Sequence, residues 1–428
     1  MPDSTITANQ TDVLKKTKQV PPRTDKYIWG IYFALVGISL VELYSASSRE
    51  VTAGHIMTPL FRHAALLGAG LLIMIGLQRV NYLVFKNLTW PIIILCAGAA
   101  VYTFFWGDII NGARRSFSLG FISIQPSELL KFSTVLLIAR VIGEGNKTVN
   151  GRAIVTDKSV KIVAITVGVF CLLLVKQGLT NTILLLSIAF SLLLIGGISK
   201  KQFLVVLVAY GCMGGLFYAY SHLKSNDTEV EQIENVGGQE VDRTITRSTR
   251  WSDWLASDKY THKITSENQQ AQYSFIAQAN GGIFGAGFGN SREAARLPLA
   301  FSDYIYAIIV EDTGLLGGLV VIVLYLLLLA RAGRVGTRCQ KVYPSLLIIG
   351  MAVFIAYQAL FHMAIVTGVF PVSGQPLPFI SKGGSSVIIS SVALGMMLSV
   401  SRFAARKNET STDTETDLVD NPMAQVSK

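Results

Sequence analysis

Ten apolar stretches, several of them about 20 residues long, recur along this chain, and they constrain its fold more than any other feature. A helix needs about 20 such residues to cross roughly 30 Å of hydrocarbon. The stretches fall at residues 27–45, 61–77, 88–106, 129–142, 160–175, 179–198, 203–220, 304–330, 345–369 and 386–400. Hydrophobic residues make up 51% of the 428 and charged ones only 15%, which excludes an ordinary soluble domain. The expected fold class is an all-α polytopic membrane protein of about ten transmembrane helices, with a large outer-face loop between the seventh and eighth.

Charge supplies the orientation. The formal net charge is +10, and the basic residues cluster between spans. Lys15, Lys16, Lys18, Arg23 and Lys26 precede the first stretch, and basic segments at 140–161, 200–201, 331–341 and 402–407 follow the fourth, sixth, eighth and tenth. With ten spans, all of these lie on one side, which the positive-inside rule makes cytoplasmic. The basic balance therefore reads as topology, and nothing patterned for nucleic acid competes with it. Residues 1–26 are expected to form a cytoplasmic segment without a signal-peptide apolar core, and the first span is expected to be an uncleaved anchor. Residues 27–402 form one membrane domain, and the Thr/Asp/Asn-rich tail at 403–428 is expected to be disordered. Cys96, Cys171 and Cys212 lie in apolar runs and Cys339 in a basic loop, a spacing that fits neither a disulfide framework nor a metal site.

Three segments then reach the outer face: 107–127, 221–301 and 370–386. The last, FPVSGQPLPFISKGGSS, cannot be helical, since proline lacks an N–H and glycine costs backbone entropy. Irregular backbone at a bilayer is tolerated only where protein buries it or it lines a wet cavity, so a site is expected beside it. Within it, Lys382 and Ser385 are candidates for substrate contact, and Lys382 is expected to meet an anionic ligand or pair with an acid such as Asp303 or Glu311. At the start of the fourth span, Gln125, Glu128 and Lys131 share one helical stripe behind Arg114 and Arg115. Interfacial snorkelling with a Glu128–Lys131 pair is one reading. A cationic pocket for an anionic lipid head group, with Ser127 and Glu128 capping the helix, is the other.

In the large loop, Arg243, Arg247 and Arg250 fall on one helical face, with Trp251, Trp254 and Leu255 toward the other. That pattern suits a helix lying in the head-group region, with arginines available for phosphate. Asp253 and Asp258 follow, each a candidate general base beside a cationic face, although an exposed loop aspartate taken alone is more often simply solvated. The glycines of GGIFGAGFGN, residues 281–290, follow no buried strand, so close packing explains them better than a nucleotide loop. Glu311 and Asp312 in the eighth span and His362 in the ninth must face the bundle interior or a cavity, and Glu311 is a further candidate for substrate contact.

With these residues in hand, the chain resembles the SEDS (shape, elongation, division and sporulation) family. NGARRSFSLGFISIQPSELLK resembles the family's NGARRW…QPSEL element, and residues 285–318 resemble GxGxGNS…LPxxxxDFIFAxIxEExGxxG. PVSGQPLPFISKGGSS resembles PVTGLPLPFISYGGSS, an ending that favours the cell-division branch. The ten-span layout with one long outer loop is the fourth likeness. Lys382 stands where the family usually has Tyr, Ser116 where it has Trp, and Ser123 where a basic residue is usual; KQGLTNT at 176–182 lacks the acid of EPDxGT.

The resemblance implies a peptidoglycan glycosyltransferase that polymerises lipid II, the undecaprenyl-diphosphate-linked disaccharide-peptide, on the outer face of a bacterial cytoplasmic membrane at the division septum. It implies a class B penicillin-binding transpeptidase and other division proteins as partners. It places the catalytic acid at Asp258, with Asp253 as the rival. Sugar transfer with departure of a diphosphate needs a base for the acceptor hydroxyl, and cations such as Arg114, Arg115, Arg243 and Arg247 for the leaving group. A divalent cation (Mg2+ or Mn2+) is compatible with this chemistry but demanded by no ligand cluster. A lipid-linked precursor flippase and a non-catalytic scaffold that recruits a transpeptidase are the alternatives.

Overall fold

The computed structural model describes residues 24–46, 57–110, 113–119, 122–149, 152–175, 178–228, 254–255, 259–260, 264–265, 268–297 and 300–419. The helices are α1 (Lys26–Ala46), α2 (Met57–Leu77), α3 (Tyr82–Trp106), α4 (Pro126–Gly145), α5 (Asp157–Val175), α6 (Leu179–Ile195), α7 (Lys200–Thr228), α8 (Gln269–Gly281), α9 (Ile305–Thr337), α10 (Val342–Val366) and α11 (Gly384–Val419). Six of them are long and apolar enough to cross a membrane, namely α1, α3, α5, α9, α10 and α11. α2 and α6 contain shorter apolar segments. α4 carries Glu128, Lys131, Arg140 and Glu144, which dilute its apolar character. α11 continues to Val419, into the segment whose composition predicts no order.

The core is apolar, and unlike a soluble protein's so is much of the outer surface. Ile94, Leu95, Leu204, Val205 and Leu315 point outward from α3, α7 and α9, as side chains solvated by lipid would. α10 and α11 sit inside, walled by α2, α4 and α9. Local sequence sets several element boundaries. Asn81 caps α3 by accepting from the Leu83 N–H at 3.0 Å. Pro126 begins α4, where its missing N–H costs nothing. Gly314, with φ 73°, breaks the helical path of α9 in its first third.

The structure corrects the all-α expectation in one respect. β1 (Asp108–Ile110), β2 (Ala113–Leu119) and β3 (Ile122–Ile124) form an antiparallel ribbon between α3 and α4, and β4 (Asn146–Val149) pairs with β5 (Arg152–Val155) between α4 and α5. Phe117 faces Ile124 and Leu119 faces Ile122 in register. Both ribbons lie between helices, where backbone groups outside a helix need other partners and here find them in a neighbouring strand.

Candidate functional site

The first turn of α4 brings Glu128 and Lys131 onto one face, three residues apart, and buries both (1% and 0% exposed). Burial excludes interfacial snorkelling. Glu128 does not cap the helix either. Its backbone N–H donates to the Gln125 carbonyl at 3.1 Å, while its carboxylate reaches across the bundle. Ser385, at the start of α11, donates to Glu128 Oε2 at 2.9 Å, and Gln358 of α10 donates to Oε1 at 3.2 Å. Lys131 Nζ donates to Asn181 Oδ1 of α6 and to Gln375 Oε1, both at 3.3 Å. Gln375 in turn donates to Asn181 Oδ1 at 3.0 Å. Four helices and the 370–383 loop thus converge on two opposite charges, each satisfied by neutral amides or hydroxyls.

Two acceptors at this site remain open. A carbonyl can only accept, so the 2.6 Å contact between His362 Nδ1 and the Gln375 carbonyl places the ring proton on Nδ1. His362 Nε2 then presents a lone pair, and it has no partner among the described residues. Gln358 Oε1 is in the same position, since its Nε2 serves Glu128. Buried acceptors without donors carry a substantial desolvation cost, which a ligand or water bearing O–H or N–H groups would remove.

The Pro/Gly loop is a fixed structure. Leu377 N–H donates to Ser381 Oγ at 2.7 Å, and that hydroxyl donates to the Ser302 carbonyl at 2.6 Å. Lys382 N–H donates to the Phe301 carbonyl at 2.9 Å, and its ammonium lies 5.1 Å from the centre of the Phe301 ring. Asp303 lies against the same loop, where a Cβ added at Gly374 would sit 2.7 Å from its Oδ2. Glu311 is committed elsewhere. Ser291 donates to its Oε2, and the backbone N–H groups of Arg292 and Glu293 donate to Oε1 at 3.0 and 3.3 Å.

Residues 281–290 pack tightly against that turn of α9. Ala286 and Gly287 donate to the Glu311 and Asp312 carbonyls at 2.9 Å, and a Cβ on Gly285 would come within 2.2 Å of the Asp312 carbonyl oxygen. These N–H groups are spent on the protein, as the close-packing reading requires. Nearby, burial raises the Glu293 carboxyl above its ordinary range, and Arg296 opposes the shift.

The large loop is described in part. Trp254 Nε1 and Lys259 Nζ both donate to the Gly368 carbonyl at 3.0 Å, just past the end of α10. Lys259 is the chain neighbour of Asp258, and Gln272 of α8 holds the Lys259 carbonyl at 2.8 Å. Asp253, Asp258, Arg243 and Arg247 lie outside the described residues, as do the side chains of Arg114 and Arg115, whose backbones belong to β2. Gln125 is half-buried at the entrance to α4. Among the described residues no three His, Cys, Asp or Glu side chains form a metal cluster.

Sequence reading named Glu128, Lys131 and Ser385 but missed Asn181, Gln358 and Gln375. The signal for Gln358 was present, because an amide inside an apolar run must find partners. Asn181 and Gln375 sit in segments noticed only for their departures and their prolines.

A bundle of apolar helices enclosing a buried, oppositely charged pair defines a multi-pass membrane protein with an internal polar site. The chain belongs to the FtsW/RodA/SpoVE family of cell cycle proteins, whose model matches residues 25–406. It is 28% identical over 386 residues to a probable peptidoglycan glycosyltransferase FtsW of Tolumonas auensis, covering 89% of this chain and 92% of that one. It is 27% identical to the stage V sporulation protein E of Bacillus subtilis, covering 91% and 99%. Among solved structures, a chain of a peptidoglycan synthase complex that coordinates polymerisation and crosslinking superposes with a TM-score of 0.63 at 23% identity, covering 89% and 98%. The rod shape determining protein RodA of Thermus thermophilus superposes with a TM-score of 0.59 at 22% identity, covering 89% and 97%.

Proposed function

We propose that this protein is a peptidoglycan glycosyltransferase that polymerises lipid II on the outer face of the cytoplasmic membrane during cell division. The observation that carries this reading is the Glu128–Lys131 pair, held by the Pro/Gly loop in a chain matched by the family from residue 25 to residue 406. A buried ammonium whose hydrogen-bond partners are neutral amides keeps its charge available for an anionic diphosphate. Arg114, Arg115, Arg243, Arg247 and Lys382 would add to that field, with Gln125 and Ser385 at its edge. Glu311 serves the fold that positions the site.

In the reaction, a carboxylate of the large loop accepts the proton of the attacking sugar hydroxyl as the new glycosidic bond forms and the diphosphate leaves. Asp258 is assigned that role and Asp253 is its rival. The diphosphate departs as an anion, so cations stabilise it and no second acid is needed. A divalent cation (Mg2+ or Mn2+), if bound, would neutralise diphosphate oxygens with at most one or two protein carboxylates. Loss of activity on chelation, restored by either ion, would establish that contribution.

The proposed topology has ten spans, α1–α7 and α9–α11, with cytoplasmic termini and residues 221–301 outside. The proposed domains are a cytoplasmic segment at 1–26, the membrane domain at 27–402 and a cytoplasmic tail at 403–428. The proposed partner is a class B penicillin-binding transpeptidase, with other division proteins at the septum. The test is polymerisation of fluorescent lipid II by purified protein with its transpeptidase. Asp258→Ala should lose about 10²–10⁴-fold of the activity. A dead Asp253→Ala beside an active Asp258→Ala would move the base to Asp253, and full activity in both would end the general-base assignment.

A further inference from the structure

At Ile380 the Pro/Gly loop meets a second buried polar group, supplied by the first two helices. Ser39 Oγ of α1 donates to the Ile380 carbonyl at 3.0 Å, and His63 Nε2 of α2 lies 2.8 Å from the same Oγ. A carbonyl cannot donate, so the single hydroxyl proton is used on Ile380, and His63 Nε2–H must be the donor to Ser39. Ser39 and His63 are both 1% exposed, and His63 Nδ1 has no partner among the described residues.

The preceding residue, Phe379, has φ 67°, the only positive φ at a non-glycine among the described residues. For a bulky side chain that backbone is strained and persists only where its surroundings over-determine it. Here they do. The Phe379 ring is fully buried with its edge on Tyr32 of α1 at 5.4 Å, and the Tyr325 hydroxyl of α9 donates to the Pro378 carbonyl. Gln375, which binds Lys131, and Ser385, which binds Glu128, lie on either side of this anchored point in the chain.

We propose that Ser39 and His63 are positioning residues for the Glu128–Lys131 site, acting through the Ile380 carbonyl and the left-handed backbone at Phe379. The proposal rests on the glycosyltransferase reading of that site. The charged group that acts on His63 is Lys382 of the loop, while Glu42, on the same helix as Ser39, interacts with Asp312 of α9. The imidazole acts here as a fixed N–H donor. A non-titrating donor of similar reach should therefore replace it at every pH.

Lipid II polymerisation is measured for the full-length protein with its transpeptidase, from about pH 6 to about pH 8, where an imidazole would ordinarily titrate. Small displacements of a reacting constellation cost up to about 10²-fold. Ser39→Ala and His63→Leu should therefore lower kcat/KM by roughly 10–100-fold per folded molecule, while His63→Gln stays near wild type across the range. A second readout does not depend on activity. In a Cys212→Ser, Cys339→Ser background, Ser373→Cys reports loop exposure to an impermeant maleimide. Labelling should accelerate when His63→Leu is added and stay unchanged with His63→Gln. If His63→Gln is as impaired as His63→Leu, or if Leu alters neither readout, the positioning role is overturned. If the double variant Glu128→Gln/Lys131→Met is folded but inactive while His63→Leu polymerises normally, this proposal alone falls. If that double variant polymerises like wild type, the reading of the site falls and takes the proposal with it.

Discussion

Two pairs of opposite charges are held at the two ends of α11, and they are built differently. At its start, Ser385 binds Glu128, while Lys131 donates to the neutral amides of Asn181 and Gln375. Near its last membrane turn, Ser401 Oγ accepts from the Asp25 N–H at 3.2 Å, and Asp25 Oδ2 takes both Arg331 Nε and Nη2 at 2.7 Å. The two serines are separated by about 24 Å of helix. The Asp25–Arg331 pair is closed, because charge meets charge directly, and Asp25 Oδ1 caps α1 through the Tyr27 and Ile28 N–H groups. No direct ion pair closes the other. Amides contact both charges and the Ser385 hydroxyl contacts Glu128, and His362 Nε2 and Gln358 Oε1 face no donor among the described residues. A closed pair fastens helices together, whereas an open pair retains electrostatic potential that a ligand can use.

The comparison breaks first on the open pair. Removing one buried charge strands the other at a cost of about 3–5 kcal/mol, so Glu128→Gln and Lys131→Met alone confound folding with function. The double variant Glu128→Gln/Lys131→Met removes both charges and should recover most of the thermal stability. Polymerisation should stay at least ~100-fold down, the scale expected when a preorganised electrostatic group is lost. A double variant with near wild-type turnover would make this pair as structural as the other. A smaller effect sharpens the point. Gln375→Leu takes one amide from Lys131 and leaves its charge in place, and should reduce kcat/KM by about tenfold, the order of one charge-assisted hydrogen bond.

How much of this was legible in the sequence depends on the range of the interaction. Helix positions followed from apolar run length, so 27–45 and 61–77 fall within α1 and α2. Glu128 and Lys131 stood out because charges at a span entrance are expensive. Their partners are 50–257 residues away in the chain, and no local pattern encodes such a contact. Ser39 and His63 were invisible for the same reason. A serine and a histidine in apolar helices read as incidental until the fold brings Ile380, 341 residues from Ser39, within hydrogen-bond distance. The ribbon carrying Arg114 and Arg115 departs from the all-α expectation because the strands that pair with β2 have only three residues each, too few to show a strand pattern in the sequence. The left-handed backbone at Phe379 is a tertiary effect that propensity argues against.

The closed pair gives the smallest effect and the control for the rest. Arg331 binds Asp25 through two nitrogens on one oxygen and lies 4.4 Å from the centre of the Tyr27 ring. Lysine keeps the charge but not the planar fork, so Arg331→Lys should lose one of the two contacts and part of the stacking. The expected cost is about 1–2 kcal/mol, since hydrogen bonds to charged groups contribute about 1.5–3 kcal/mol and one of them survives. It should be read as a lower melting temperature in detergent, larger for Asp25→Ala, which also removes the α1 cap. Turnover per folded molecule should stay at wild type in both variants, because the open pair is about 24 Å away along α11 and shares no hydrogen-bond partner with the clamp. Loss of turnover without loss of melting temperature would show the two ends to be coupled through α11, and the division between a fastening pair and a working pair would not hold.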